Sequence, residues 1–250
     1  MFQALQSRGH TFLAVTAVAA AISASAQATV WTMTFNSVTP GQTVGINYDA
    51  NRAVNAANAG TYGNVSAGQL NWTGPYGKSY ITYCTQLTEH ISYGQTLTFT
   101  QALVQNVPDV TPGAMGAVKA ALVRDLYARN YADVIASADS ALHAAFQAVL
   151  WEITHENLTG ATAALAAAEL DLSLGALQLN GSGANAGMYG YAVAMIESLG
   201  DGGFQNFGGL LGLTHSQYQD QLVVVPIPAP VVLAGLGLLG VGVLRRRYAK

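Results

Sequence analysis

The feature that most constrains the fold of this chain is a change in hydrophobic period near Pro112. Before that point, from Thr29 to about Leu103, stretches such as VWTMTFNSV, TVGINYDA, KSYITYCTQL and QTLTFTQAL alternate or are rich in β-branched and aromatic residues, which is typical of strands. After it, apolar residues recur every three to four positions, as in helices. The order of these patterns predicts an α+β protein with a strand-rich scaffold.

Three helices and a closing strand are predicted after Pro112. The first helix lies between Gly113 and Asn130, and the second begins at Asp139 or Ser140, either of which can act as its N-cap. AGMYGYAVAMIESL is predicted to be the third helix, and QYQDQLVVV the closing strand. The core face of the second helix is predicted to be Leu142, Ala145, Phe146, Val149, Leu150 and Ile153.

Gln147 occupies an unusual position in the second predicted helix. It is four residues from both His143 and Trp151, so the three side chains share one stripe beside the core face. This places Gln147 at the edge of the buried region, where an amide needs hydrogen-bond partners or a chemical role. His143 is expected to be a surface residue, although one turn from Gln147 it could also assist proton transfer.

The first 28 residues have the layout of a secretory signal peptide. Arg8 precedes an apolar run from about Phe12 to Ile22, and alanines at A-x-A spacing follow it. In an exported protein a single cysteine, Cys84, calls for an explanation, because it has no partner for an internal disulfide. It can be a buried inert thiol, it can pair between chains, or it can be committed to other chemistry.

The end of the chain resembles the PEP-CTERM sorting signal of Gram-negative bacteria. Val225-Pro226-Ile227-Pro228-Ala229 matches the V-P-x-P-A variant, an uncharged run covers 231–244, and three arginines close it at 245–247. The resemblance implies recognition by an exosortase-type enzyme, with 231–244 in the membrane before processing. The domain organisation is therefore predicted as a signal peptide at 1–28, a domain at 29–222 and a sorting segment at 223–250.

The central domain resembles the thioester domains of bacterial surface adhesins. Those domains carry a cysteine after an aromatic residue on an early strand, here Tyr83-Cys84, and a glutamine on a helix in a pattern close to T-Q-x-A-I-W. The corresponding segment is Phe146-Gln147-Ala148-Val149-Leu150-Trp151, in which Phe146 replaces the threonine and Val149 the alanine. The resemblance implies a β-barrel or sandwich scaffold with an inserted helical subdomain, and an internal thioester between Cys84 and Gln147.

This resemblance implies an adhesive function rather than an enzymatic one. A thioester would attach the exported protein covalently to an amine-bearing macromolecule of a surface or matrix, with no cofactor or metal. Two alternatives remain: an exosortase-sorted structural protein of a biofilm or exopolysaccharide matrix with an inert thiol, and a cysteine-dependent hydrolase using Cys84 with His143 or His155. Charged residues are 9% of the chain and there is no basic patch, so nucleic acid is not an expected partner.

One further set of side chains is a candidate for metal binding. WEITHE offers Glu152, His155 and Glu156, but their spacing is not that of the H-E-x-x-H zinc motif. A solvated helix face is the favoured interpretation of this segment.

Overall fold

The computed structural model describes residues 29–57 and 61–225. The predicted signal peptide (1–28) and the predicted sorting segment from residue 226 onwards lie outside the described residues. Within the described ranges, none of the helices combines the length and the apolar character that crossing a bilayer requires.

The described residues form seven strands and four α-helices, which confirms the predicted α+β class. The helices are α1 (Gly116–Ala136), α2 (Ser140–His155), α3 (Ala163–Ala167) and α4 (Ala186–Glu197). The strands are β1 (Val30–Tyr48), β2 (Gly63–Thr73), β3 (Ser79–Cys84), β4 (Thr96–Ala102), β5 (Leu177–Leu179), β6 (Leu210–Thr214) and β7 (Gln221–Val224).

Six of the strands pair in a closed ring, β1-β2-β3-β7-β6-β4, which returns to β1. Every pairing is antiparallel. β1 is 19 residues long, and its first part pairs with β4 while its last three residues pair with β5. The strand-rich, barrel-like character of the scaffold is therefore confirmed, while its likeness to thioester domains stays a prediction.

β1 and β2 approach each other closely at a pair of glycines. Gly41 pairs with Gly68, and a Cβ atom on Gly68 would lie 2.5 Å from both the Cα of Gly41 and the carbonyl oxygen of Pro40. Gly68 also has a φ of 147°, which side chains rarely adopt. Of the two register shifts between β1 and β2, the one between Val38 and Gly41 falls just before this point, as expected for a bulge.

All four helices lie between β4 and β6 in the chain, so the helical part is an insertion in the sheet. α2 is its central element and contacts β1, β2, β3 and β5 as well as α1 and α4. From His143 to His155 every residue of α2 is buried. The prediction of a single core face for this helix was wrong, because neighbours surround it on all sides.

Other sequence-based predictions were confirmed or corrected. Cys84 ends a strand as predicted, and Asp139 caps α2 by accepting the backbone N–H of Ala141 at 2.9 Å. The first helix extends to Ala136, beyond the predicted Asn130. VWTMTFNSV and TVGINYDA, predicted as two strands, belong to the single strand β1, and the sequence patterns did not predict β2, β5 or β6.

Candidate functional site

Cys84 is buried at the end of β3, with 3% of its surface exposed. On one side β3 pairs with β7, where Cys84 lies opposite Gln221 and the next residue, Thr85, donates its N–H to the carbonyl oxygen of Asp220. Backbone groups of successive strand residues point to opposite neighbours, so the N–H and C=O of Cys84 point away from β7. On that side the ladder with β2 has already ended, at Leu70 and Thr82.

The side chain of Gln147 fills the place of the missing strand. Its Oε1 accepts the backbone N–H of Cys84 at 3.1 Å, and its Nε2 donates to the backbone carbonyl of Cys84 at 2.7 Å. Gln147 has 0% of its surface exposed, so these hydrogen bonds form without competition from water. The two residues singled out from the sequence are therefore in direct contact, although Gln147 is fully buried and not at the edge of the buried region.

A cavity of about 290 Å³ lies beside Cys84. Cys84 and Trp151 both line it. The indole N–H of Trp151 is buried and makes no hydrogen bond of normal geometry with any described residue. It is nevertheless close enough to the thiol to lower the pKa of Cys84, so an unused donor faces the sulfur.

Burial dominates the acidity of the thiol. It raises the pKa of Cys84 to about 12, against smaller opposing effects of the Trp151 indole and the backbone. The thiol also donates a hydrogen bond to the backbone carbonyl of Gln86, 3.6 Å from the sulfur, which favours the protonated form. At neutral pH the group is therefore a thiol, and any reaction at sulfur requires removal of its proton.

His143 lies inside the protein, and its expected surface position was wrong. Its Nε2 is 3.0 Å from the carbonyl oxygen of Ser137, an acceptor, so Nε2 carries the proton. Nδ1 then accepts a hydrogen bond from the hydroxyl of Tyr83 at 2.8 Å. Both ring nitrogens are thus engaged away from Cys84, which weighs against His143 as a base for a cysteine hydrolase.

The segment WEITHE is also buried, because the end of α2 is enclosed by the sheet and by the chain around Asp171 and Ala176. Glu156 accepts the N–H of Ala176 at 2.8 Å, and Glu152 accepts that of Asp171 at 3.1 Å. Burial raises the pKa of Glu152 well above its usual value and lowers that of His155 to about 3. The predicted solvated face was wrong, and no group of three or more His, Cys, Asp or Glu among the described residues could hold a metal ion.

A second side-chain amide, that of Asn185, makes the same pair of backbone hydrogen bonds as Gln147. Asn185 accepts the N–H of Gly45 at 2.7 Å and donates to its carbonyl at 2.6 Å, the same double contact with one strand residue. Such an amide can therefore serve the backbone alone. What distinguishes Gln147 is the thiol on the residue that it holds, and the cavity and unused indole donor beside that thiol.

Asp220 supports the segment that follows Cys84. Its carboxylate accepts the backbone N–H groups of Asp109 and His215, both at 2.7 Å, and its own N–H donates to the side chain of Gln86. Burial, and secondarily the charge of Asp109, raise the pKa of Asp220 to about 7. This role was not predicted, because the aspartate in QYQDQ resembles an ordinary polar residue at the start of a strand.

Asp220 makes stability depend on pH. Its pKa in the folded protein lies above the usual 3.8, so the folded state holds this proton more tightly; the stabilisation is complete below about pH 4 and is lost as the pH rises through 7. We expect the free energy of unfolding to fall between pH 4 and 7 by about 1–3 kcal/mol more in the parent protein than in Asp220→Asn. Urea denaturation at several pH values measures this difference, and parallel pH profiles would contradict it.

Comparisons of the chain with protein-family models, with curated proteins and with solved structures found no match.

Proposed function

We propose that this is an exported cell-surface protein that forms an internal thioester between Cys84 and Gln147 and uses it to attach covalently to amine-bearing surface or matrix targets. The observation that carries the proposal is the double hydrogen bond between the Gln147 amide and the backbone of Cys84. An amide is a poor electrophile, so a thiol attacks it only when both are held in place. Such positioning can lower a barrier by about 7–11 kcal/mol.

When the thioester forms, the thiol of Cys84 displaces the side-chain nitrogen of Gln147 as ammonia. The sulfur of Cys84 attacks the side-chain carbonyl carbon of Gln147, the C–N bond breaks, and the thiol proton leaves with the nitrogen as NH₃. The acyl group of Gln147 is then joined to sulfur. In the attack Gln147 gives up its hydrogen bonds to the backbone of Cys84.

The unused N–H of Trp151 suits this reaction. Negative charge develops on the attacking sulfur and on the carbonyl oxygen, and a buried donor stabilises such charge more strongly than a solvated one. The same indole lines the cavity, where its ring limits the access of water to the ester. Trp151 is therefore assigned a positioning and stabilising role in addition to packing.

The target enters through the cavity beside Cys84. Its amine attacks the thioester carbonyl, forms an amide with the acyl group of Gln147, and transfers a proton to the released sulfur. Each molecule reacts once, so the protein is not an enzyme in this proposal. Its PEP-CTERM-like tail supports a place at the surface or in the extracellular matrix of a Gram-negative bacterium, with exosortase-type processing.

The mass of the intact folded protein tests the proposal. We expect the full-length chain, after any processing is accounted for, to be lighter than its sequence by one ammonia, and to gain one methylamine on incubation with that amine. Cys84 should resist iodoacetamide before methylamine and react with it after. Cys84→Ser is the control and should show the full sequence mass, because a serine ester is not expected at this site.

An inert-thiol matrix protein is the second candidate. The matching contact of Asn185 with Gly45 favours it, because it shows the same amide geometry without any cysteine. In that case Gln147 serves only the backbone, the folded protein has its full mass, and Cys84 is slow to alkylate with or without methylamine. That combination of results would replace the adhesive function by a structural one.

A further inference from the structure

The cavity beside Cys84 has a chemical character of its own. Its described lining residues are mostly apolar, with aliphatic side chains beside the aromatic residues Phe35, Tyr93 and Trp151, and they include the neutral hydrogen-bonding residues Asn64, Ser66 and Gln219. No Lys, Arg, Asp or Glu occurs in the described part of the lining. At about 290 Å³ it is near the lower end of small-ligand sites, which is enough for a single compact group and too little for a folded segment.

Tyr93 provides a flat apolar surface in this cavity. Its ring stacks on that of Phe35, with centroids 5.2 Å apart and an interplanar angle of 14°. Phe35 is buried, whereas 70% of the surface of Tyr93 is exposed. The stack holds the tyrosine ring in place and leaves the rest of it open to a ligand. An aromatic face beside neutral amides and a hydroxyl is suited to a sugar ring, which has apolar C–H faces and hydroxyl groups around its edge.

The absence of Lys, Arg, Asp and Glu from the described lining also affects which amines can react in the cavity. An amine attacks a carbonyl only in its neutral form, and a cavity without a carboxylate gives no stabilisation to an ammonium ion. A lysine, with a pKa of about 10.4, is almost entirely charged near neutral pH. The amino group of a hexosamine is less basic because its ring oxygens withdraw electrons, so a larger fraction is neutral.

We propose that the cavity beside Cys84 binds an amine-bearing sugar, a hexosamine residue with a free amino group such as those of a partly deacetylated polysaccharide. The inference rests on the proposed function for its covalent step but not for its binding step. The unpartnered indole N–H of Trp151, buried in the wall of the same cavity, is a donor available to a sugar hydroxyl or to the carbonyl under attack.

The covalent step is balanced by the groups present. The sugar nitrogen forms a C–N bond with the acyl carbon of Gln147, the C–S bond breaks, and one proton of the amine passes to the sulfur of Cys84. His90 also lines the cavity, and its imidazole is a group that can pass this proton to the sulfur.

Rates with matched amines test the choice of target. The full-length protein is incubated with equal concentrations of glucosamine, Nα-acetyl-lysine and methylamine at pH 7.5, and adducts are followed by intact mass. We expect glucosamine to react at least ten times faster than Nα-acetyl-lysine. N-acetylglucosamine should form no adduct and should slow the glucosamine reaction by competition. Equal rates for the two amines, or a faster reaction of the lysine analogue, would overturn the inference.

Tyr93→Ala tests the binding surface, with Tyr76→Ala as its control. Tyr76 is 98% exposed in the turn between β2 and β3 and does not line the cavity. We expect Tyr93→Ala to lower the ratio of glucosamine to methylamine rates at least fivefold, and Tyr76→Ala to leave the ratio within twofold. A similar ratio in all three proteins would mean that Tyr93 does not contact the sugar.

A binding experiment separates this inference from the thioester itself. In Cys84→Ser, which cannot form the thioester, glucosamine should still change the tryptophan fluorescence in a saturable manner, and Tyr93→Ala in the same background should weaken this binding at least fivefold. Saturable binding without any methylamine adduct in the parent protein would support the sugar site and refute the thioester. Methylamine adducts without saturable sugar binding would support the thioester and refute the sugar site.

Discussion

Gln147→Ala is expected to abolish both the mass deficit and the incorporation of methylamine. No adduct should form even when the variant is incubated with methylamine one hundred times longer than the parent protein needs to react. The substitution removes the acyl group that the sulfur would take, so no alternative route to the ester remains. Intact mass spectrometry of the folded variant measures both quantities. Cys84 should then be a thiol that is not esterified. Its alkylation should accelerate about tenfold per pH unit between pH 7 and 9, because its raised pKa keeps it largely protonated in that range.

Asn185→Ala is the matched control for Gln147→Ala. Each substitution removes an amide that holds the N–H and C=O of one strand residue, so each should destabilise the fold by about 2–5 kcal/mol. Only the Gln147 variant should lose the mass deficit. If both variants retain it, the ester carbonyl comes from another side chain; if both lose it, the deficit reflects the stability of the fold and not the chemistry of Gln147.

Asp125→Ala is expected to have the largest effect on stability, lowering the free energy of unfolding by about 3–5 kcal/mol. Asp125 is completely buried in α1, and its carboxylate forms a 2.8 Å ion pair with the Nε of Arg129. It also accepts the N–H groups of Gly200 and Gln205, both at 2.7 Å. Removing it leaves these three donors without their acceptor. Equilibrium unfolding in urea, monitored by circular dichroism, measures the change.

The same helix offers a control for the aspartate. Asp133 is exposed on α1 two turns after Asp125, and Asp133→Ala should change the stability by less than about 0.5 kcal/mol. Limited proteolysis adds a local readout, because Arg129, which pairs with Asp125, also donates to the carbonyl groups of Asp201 and Gly203. Cleavage near residues 200–205 should therefore increase in Asp125→Ala and not in Asp133→Ala. Equal stability of the two variants would refute the role given to the buried carboxylate.

The sequence was a good guide wherever a local pattern decides the structure. Asp139 as the N-cap of α2, and Cys84 at the end of β3, follow from short-range chemistry that tertiary contacts do not override. The contact of Cys84 with Gln147 was anticipated from the two motifs, although nothing in periodicity alone would bring together residues that are 63 positions apart.

The errors arise where long-range packing decides. Glu152, His155 and Glu156 are polar residues that the sequence assigned to solvent, yet backbone N–H groups from distant loops and the enclosing sheet bury them. β2 was not predicted because the glycines and asparagines at its start are typical of a turn. In the folded protein its pairing with β1 stabilises it as a strand. The cavity, and the unused donor of Trp151 in its wall, depend on elements that meet only in the folded chain.

The position of β7 beside Cys84 has a consequence for the timing of assembly. A ribosome delivers the chain from its amino end, so β3 is available long before residues 221–224, and before the insertion that carries Gln147. Until that last strand emerges, the cysteine lacks one neighbour and the ring of strands stays open. In the proposed function, this order of synthesis would delay a Cys84–Gln147 thioester until α2 has been made, and closure of the ring of strands around it until nearly the whole domain is present.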